Sequence, residues 1–326
     1  MQGKVSPEQS KAAQVYVGID VCKAWLDVHI HPVGQQFRVR NSGSGFNELV
    51  RALGRHKVAL LVMEATGKYH RAVHRVLHAA SVPVAVVNPR RARLFAEAKG
   101  IEAKTDRIDA RVLALMAEDF EPDVTVPAPQ ELEDLQELTR ARQSGVDART
   151  ATSNLLGETK CAFLQRELKR QLRVLAAHIE RLEAEIASRI KSNSKLDRKQ
   201  KILTSIPGVG DVAATWLLVG LAELGTCSAK AAALMAGLAP IAHESGQTKG
   251  PRHIQGGRGD VRRGIYMAAM SATLHNPGLK AFYTRLRANG KLHKVAITAV
   301  MRKLVVLANT LLTEDRHWTP DAPKPT

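Results

Sequence analysis

Four carboxylates in this chain occupy places where acids do chemistry. Asp20 follows the apolar run in YVGIDVCK, Glu64 closes the one in LVMEATG, and Asp106 and Asp109 lie three apart in KTDRIDAR. Residues three apart on a helix share a face. Four acids brought together cannot all stay ionised without cations. An all-oxygen donor set suits a hard ion, Mg2+ or Mn2+. Two such ions roughly 4 Å apart can hold a phosphodiester and stabilise its entering and leaving oxygens. Taken singly, each acid has a plainer role. Asp106 can cap its helix, Asp109 can complement the helix dipole, and Glu64 can be a strand-end surface acid. Lys104 and Arg107, beside the helical pair, are candidate nucleic-acid contacts.

A second group surrounds Ser245, in HESGQTKGPRHIQGGRGDVRR. Five glycines lie between 246 and 259, among Lys249, Arg252, His253, Arg258, Arg262 and Arg263. Glycines let backbone amides approach a phosphate, and arginines clamp its oxygens. A serine hydroxyl is a weak nucleophile until it is deprotonated or coordinated. His243 and His253 lack a readable carboxylate partner, so a metal from the acidic region is the better activator. From the residues alone, two readings of Ser245 stay open. It is a nucleophile, or it gives one hydrogen bond in a basic RNA-binding loop.

Two weaker patterns accompany these. LTSIPGVG at 203–210, followed by Ala213 and Ala214, has the form of a helix-hairpin-helix turn, where Gly208 and Gly210 offer amides to a phosphate backbone. A tight helix–helix turn is the alternative. His70, His74 and His78 recur every fourth residue, a spacing able to bind metal, but Lys68, Arg71 and Arg75 among them favour a solvated or RNA-facing basic face.

The charge fits a phosphate-rich partner. Against 31 Asp+Glu stand 48 Lys+Arg, a formal net charge of +17, which is self-repelling without a polyanion nearby. Aromatic residues are only 4%, so contacts rely on phosphates more than on stacking. Cys22, Cys161 and Cys227 form no metal-binding pair and suit a reducing cytoplasm. No signal peptide is apparent, and no apolar run approaches the roughly 20 residues of a membrane helix. A cytoplasmic protein without membrane contact is expected.

The elements that must position these residues follow from hydrophobic period. Strand-like runs cover Val15–Asp20, Ala24–Ile30 and Gln36–Asn41. A short helix follows, then Val58–Met63, an unbroken apolar run expected to be buried on both faces. A helix over Tyr69–Ala80, a strand over Val82–Val87 and helices over Arg90–Lys99 and Asp106–Asp119 complete the order βββ-α-β-α-β-α. That order is the layout of an α/β RNase H-like nuclease fold, in which strands one and four are neighbours under the last helix.

Glu121–Gln130 carries three prolines and reads as a linker. Beyond it, Leu164, Leu168, Leu172, Leu175, Ile179, Leu182, Ile186 and Ile190 form a helical seam. Intrachain packing and a dimer-forming hairpin both account for it. The expected organisation is a flexible segment over 1–14, a catalytic domain over 15–122 and a linker with helical hairpin or coiled coil over 123–198. A mainly α-helical domain carrying Ser245 then spans 199–314, and a loose tail spans 315–326.

At these motifs the chain resembles a known family. GIDVCK, MEATG, NP and KTDRIDAR, with the distal AGLAPIAHESGQTKGPRHIQGGRGDVRRGIYMAAM, resemble the DEDD transposases of the IS110 insertion-sequence family, relatives of the Piv DNA invertases. The likeness runs from Val15 to the last helix, and Cys22 departs from the more usual serine or alanine. The resemblance implies a RuvC-like domain with Asp20, Glu64, Asp106 and Asp109 as the metal tetrad and Ser245 as catalytic serine. It further implies donor and target DNA as substrates, a bridge RNA as guide, and dimers assembling into tetramers that pair one subunit's acids with another's serine. A RuvC-type junction nuclease using water, and a non-catalytic nucleic-acid-binding protein, are the alternatives.

Overall fold

The computed structural model describes residues 14–65, 67–101, 105–241, 244–245, 248–249 and 252–320. The chain forms two compact units, Met1–Ala128 and Pro129–Thr326.

The first unit contains β1 (Gln14–Val21), β2 (Trp25–His31), β3 (Gln35–Arg40), α1 (Gly43–Leu53), β4 (Lys57–Glu64), α2 (His70–Ala79), β5 (Val84–Val87), α3 (Pro89–Ala98) and α4 (Asp106–Phe120). One five-stranded sheet has the order β3-β2-β1-β4-β5. β1, β2 and β3 pair antiparallel, while β4 runs parallel to β1 and β5 to β4. Period-two alternation sends Val17, Ile19, Leu26, Val28, Leu61 and Met63 to the core beneath α1 and α2. Leu60, Val62, Ala85 and Val87 face the core under α3 and α4. β4 is thus covered on both sides, which is why its sequence is unbroken and apolar. Pro89 opens α3, and the Asn88 side chain accepts from the Arg90 amide, so the Asn-Pro pair is a helix start.

The second unit is mostly helical, with α5 (Gln130–Glu158), α6 (Ala162–Ser192), α7 (Ser194–Thr204), α8 (Asp211–Gly220) and α9 (Ala229–Met235). Four two-residue strands follow: β6 (Pro240–Ile241), β7 (Glu244–Ser245), β8 (Thr248–Lys249) and β9 (His253–Ile254). Then come α10 (Gly259–His275), α11 (Pro277–Ala288) and α12 (His293–Thr313). α5 and α6 run antiparallel. Arg142 pairs with Glu183 at 2.6 Å and Arg189 with Asp134 at 3.2 Å. Of the expected seam, Leu168, Ile179, Ile186 and Ile190 are buried, whereas Leu164 is exposed.

Two expectations need correction, and the linker is more closely held than its composition suggests. The proline-rich segment before α5 carries no helix or strand, as a linker should, but it is not unattached: the Thr125 amide donates to Val84 O at 2.8 Å and its Oγ1 accepts from Val86 N at 3.1 Å. Backbone groups along the edge of β5 are thereby satisfied. Nor is the tail free as far as it is described. Arg198 holds Asp315, and the Trp318 amide donates to Ser205 Oγ at 2.8 Å. Of the segment over 1–14 expected to be flexible, Gln14 opens β1, while residues 1–13, like residues 321–326, lie outside the described residues. Finally, α12 is long and apolar enough to cross a membrane, contrary to the absence expected. Its Ile297, Val300, Leu304 and Leu311 instead lie in the unit's core, so it reads as a core helix.

Candidate active site

One row of side chains crosses four strands. Arg38 on β3 is the register partner of Asp27 on β2, and Asp27 is the partner of Asp20 on β1. Glu64 follows Met63, which pairs with Ile19 across β1 and β4. Directly opposed residues share a face, so Asp20 and Glu64 lie side by side at the carboxyl ends of two parallel strands.

α4 covers that face. It meets β1 at Gly18, two residues before Asp20 and therefore on the same side. A Cβ at Gly18 would sit 1.9 Å from the Ala110 carbonyl oxygen and 2.4 Å from the Ala114 amide, so helix and strand touch backbone to backbone. The direction of α4 follows from its two ends. Glu118 reaches His31 at 3.1 Å, whereas Arg107 and Ala110 share a cavity with Asp27 and Arg38. The first turn, with Asp106 and Asp109, thus lies toward the acid row. Thr105 caps it, its Oγ1 accepting from the Ile108 amide at 3.4 Å. Asp106 is therefore not needed as the helix cap, which removes its plainer role.

Asp20, Glu64 and Asp109 are half-buried; the side chain of Asp106 and all of Lys104 lie outside the described residues. Among the described residues, no three His, Cys, Asp or Glu side chains gather closely enough to share one ion.

The polar face extends further than the sequence reading found. Asp27 is 6% exposed and receives Arg38 Nε and Nη2, both at 2.8 Å. One step along, the Gln36 amide donates to Nδ1 of buried His29 at 3.0 Å. That bond requires an unprotonated Nδ1. Burial, then the neighbouring His31 and Arg111, hold the His29 pKa below its ordinary value. The available signal was the alternation in WLDVHIH, where Asp27, His29 and His31 share one face and Leu26, Val28 and Ile30 the other.

Ser245 stands on β7 within nested pairings. β6 pairs antiparallel with β9, and inside them β7 pairs with β8, setting Ser245 opposite Thr248 and Glu244 opposite Lys249. The glycine-rich run around Ser245 therefore contains short β pairings. The side chains of Ser245 and Lys249 lie outside the described residues, as do Ala242, His243, Gly246 and Gln247.

Residues 17–159 match a family model for DEDD transposases of IS110, described as transposase, and residues 200–284 match the transposase of the IS116/IS110/IS902 family. The chain belongs to the IS110 transposase family. The pilin gene-inverting protein of Moraxella bovis is 27% identical over 316 residues, covering 94% of this chain and 98% of that protein. An uncharacterized protein of insertion element IS116 from Streptomyces clavuligerus is 30% identical over 178 residues, or 54% of this chain and 44% of that protein. Membership makes the chain a DNA recombinase, with DNA as its substrate.

In this IS110-family protein, several candidate phosphate contacts have structural partners. Arg258 grips Glu223 through Nη1 at 2.7 Å and Nη2 at 2.5 Å, and also reaches Gly220 O at 2.8 Å. Burial alone would raise the Glu223 pKa, but the hydrogen bonds and charge of Arg258 hold it below the ordinary value. Arg262 Nη1 donates to Gly256 O at 2.6 Å, and Arg263 pairs with Asp147 at 3.2 Å. Arg252 is exposed.

The turn between α7 and α8 is as expected, but Gly208 is required by packing. Its φ is +96°, and a Cβ there would lie 2.5 Å from the Ala272 backbone of α10. Gly210, at the N-terminus of α8, faces open space. The histidines of α2 diverge. His74 is buried and its Nε2 donates to Thr125 O at 2.9 Å, while His78 is exposed. That corrects the solvated face expected for all three.

Proposed function

We propose that this transposase exchanges DNA strands through a covalent serine–DNA intermediate. In this reading the first unit is an RNase H-like, RuvC-like domain whose Asp20, Glu64, Asp106 and Asp109 hold two Mg2+ or Mn2+ ions. The observation that carries it is the juxtaposition of Asp20 and Glu64 at adjacent parallel strand ends, beneath the first turn of α4. The strand order and the purely carboxylate donor set support the same reading. When bound, the ions supply electrostatic stabilisation of the phosphodiester's developing charge.

Ser245 Oγ attacks phosphorus. The Oγ–P bond forms as the P–O3′ bond breaks, and the serine proton ends on the departing 3′-oxygen. A 3′-hydroxyl of the partner strand then attacks the phosphoserine and restores the hydroxyl. Bond count is conserved in both steps, so no nucleotide triphosphate is consumed. A bridge RNA pairing with donor and target DNA is the proposed source of site choice. The α5–α6 pair, as a coiled-coil hairpin, is the proposed assembly element of a tetramer in which one subunit's acids serve another's serine.

The test is adduct trapping on DNA carrying the element's ends. Wild type gives a protein–DNA band after denaturation, and Ser245→Ala gives none. Cleavage to 5′-phosphate ends without an adduct, or full recombination by Ser245→Ala, contradicts the serine step.

A further inference from the structure

Next to the acid row lies a cavity of about 360 Å³, walled by Asp27, Gln36 and Arg38 from the sheet and by Arg107 and Ala110 from α4. This is within the roughly 300–1,000 Å³ of pockets that take small ligands or ligand fragments. Asp27 is the register partner of Asp20, so the cavity begins one strand, about 4.8 Å, from the proposed metal ligands.

Its charges are unevenly balanced. Asp27 and Arg38 cancel one another. Arg107 is exposed, so two guanidiniums and one carboxylate line the cavity. The pairing of Asp27 is itself informative. A carboxylate directly opposite another across a strand pair is unfavourable, and a buried one costs more unless bidentately paired. Asp27 has 8% of its side chain exposed and Arg38 has 45%, so a buried acid holds a solvent-reaching guanidinium in one orientation beside the acid row.

We propose that this cavity is a phosphate subsite for the DNA strand, taking a backbone phosphate next to the one being cut. Arg107 and Arg38 make the contacts, and Asp27 is a positioning residue for Arg38. The assignment rests on the reading that strands are cut at the acid row.

The experiment measures binding without chemistry. Full-length protein is titrated against fluorescein-labelled duplex DNA in Ca2+ at several salt concentrations, with exposed Arg55, at the far end of β4 from Glu64, giving the control Arg55→Ala. Arg107→Ala and Arg38→Ala should each weaken binding about 3- to 10-fold and reduce the salt slope by about one, the signature of one lost phosphate contact. Arg55→Ala should leave the slope unchanged. Asp27→Asn separates positioning from plain electrostatics. Removing a negative charge near DNA should tighten binding, whereas releasing Arg38 should weaken it several-fold.

Wild-type slopes in both arginine variants, tighter binding by Asp27→Asn, or loss confined to an RNA hairpin overturns the subsite. If Asp27→Asn fails to fold, Arg107→Ala decides, because that side chain is exposed. Adduct formation is not read here, so failure of the serine step and failure of the subsite remain distinguishable.

Discussion

Gly18 of β1 and Ala110 of α4 touch through their backbones, with no side chain between them. This contact fixes the height of α4 above the sheet and thus the reach of Asp109 toward Asp20. Gly18→Ala must push the two apart, because its Cβ would meet backbone rather than a flexible side chain. We expect a loss of about 1–3 kcal/mol in stability, typical of overpacking. Recombination should fall by more than the lost folded fraction explains. Urea melts alongside a recombination assay check both; a variant of unchanged stability and activity contradicts the contact.

Acid should weaken the first unit through His29. Its folded pKa lies below the ordinary 6.5, so between those two values the unfolded chain binds the extra proton. The contribution of His29 is fully present above about pH 6.5 and is lost as pH falls through the folded value. The melting temperature should therefore drop on going from pH 7.5 to pH 5.5. His29→Gln, which cannot take up the proton, should flatten that drop. A parallel decline in both proteins removes His29 as the cause.

Arg258 should be a stability residue before it is a nucleic-acid contact. Both partners are about two-fifths exposed, at 44% and 41%, so solvent screens the pair and Arg258→Ala should cost only roughly 1 kcal/mol at pH 7. The Glu223 pKa is depressed, so this stabilisation is present above the unfolded value of about 4.5 and fades as pH falls through the folded one. The melting-temperature gap between wild type and Arg258→Ala should narrow accordingly. An equal gap at pH 7 and pH 4 argues against the ion pair.

Docking of the chain after α12 gives a further test. Trp318 packs against the second unit's core, and its amide is held by Ser205. Truncation after Glu314 should lower that unit's melting temperature by several degrees, and Trp318→Ala should account for part of that fall. Equal melting temperatures would mean that the docking contributes nothing.

What the sequence made legible was whatever depends on neighbours along the chain. The strand and helix runs were readable because period-two and helical patterns are local, although the cap of α4 proved to be Thr105, one residue before the Asp106 that the sequence offered. Asp20, Glu64 and Asp109 were readable because an acid ending an apolar run, or opening a helix, is conspicuous. Asp27 was missed as a partner of Asp20 because cross-strand register is a long-range property. Its cation, Arg38, lies eleven residues away. The same reason hid the grip of Arg258 on Glu223, the docking of Trp318 and the burial of His74 beneath Thr125. A basic residue in a glycine-rich run looks like a phosphate contact until its partner is seen.

Divalent-ion binding to the acids tests the central claim most directly. Calorimetric titration of Mn2+ into wild type and into Asp20→Asn, Glu64→Gln, Asp106→Asn and Asp109→Asn requires neither DNA nor turnover. We predict saturable binding by wild type, weakened at least tenfold by each isosteric change while the fold is kept. Undiminished Mn2+ affinity in all four folded variants would contradict the account.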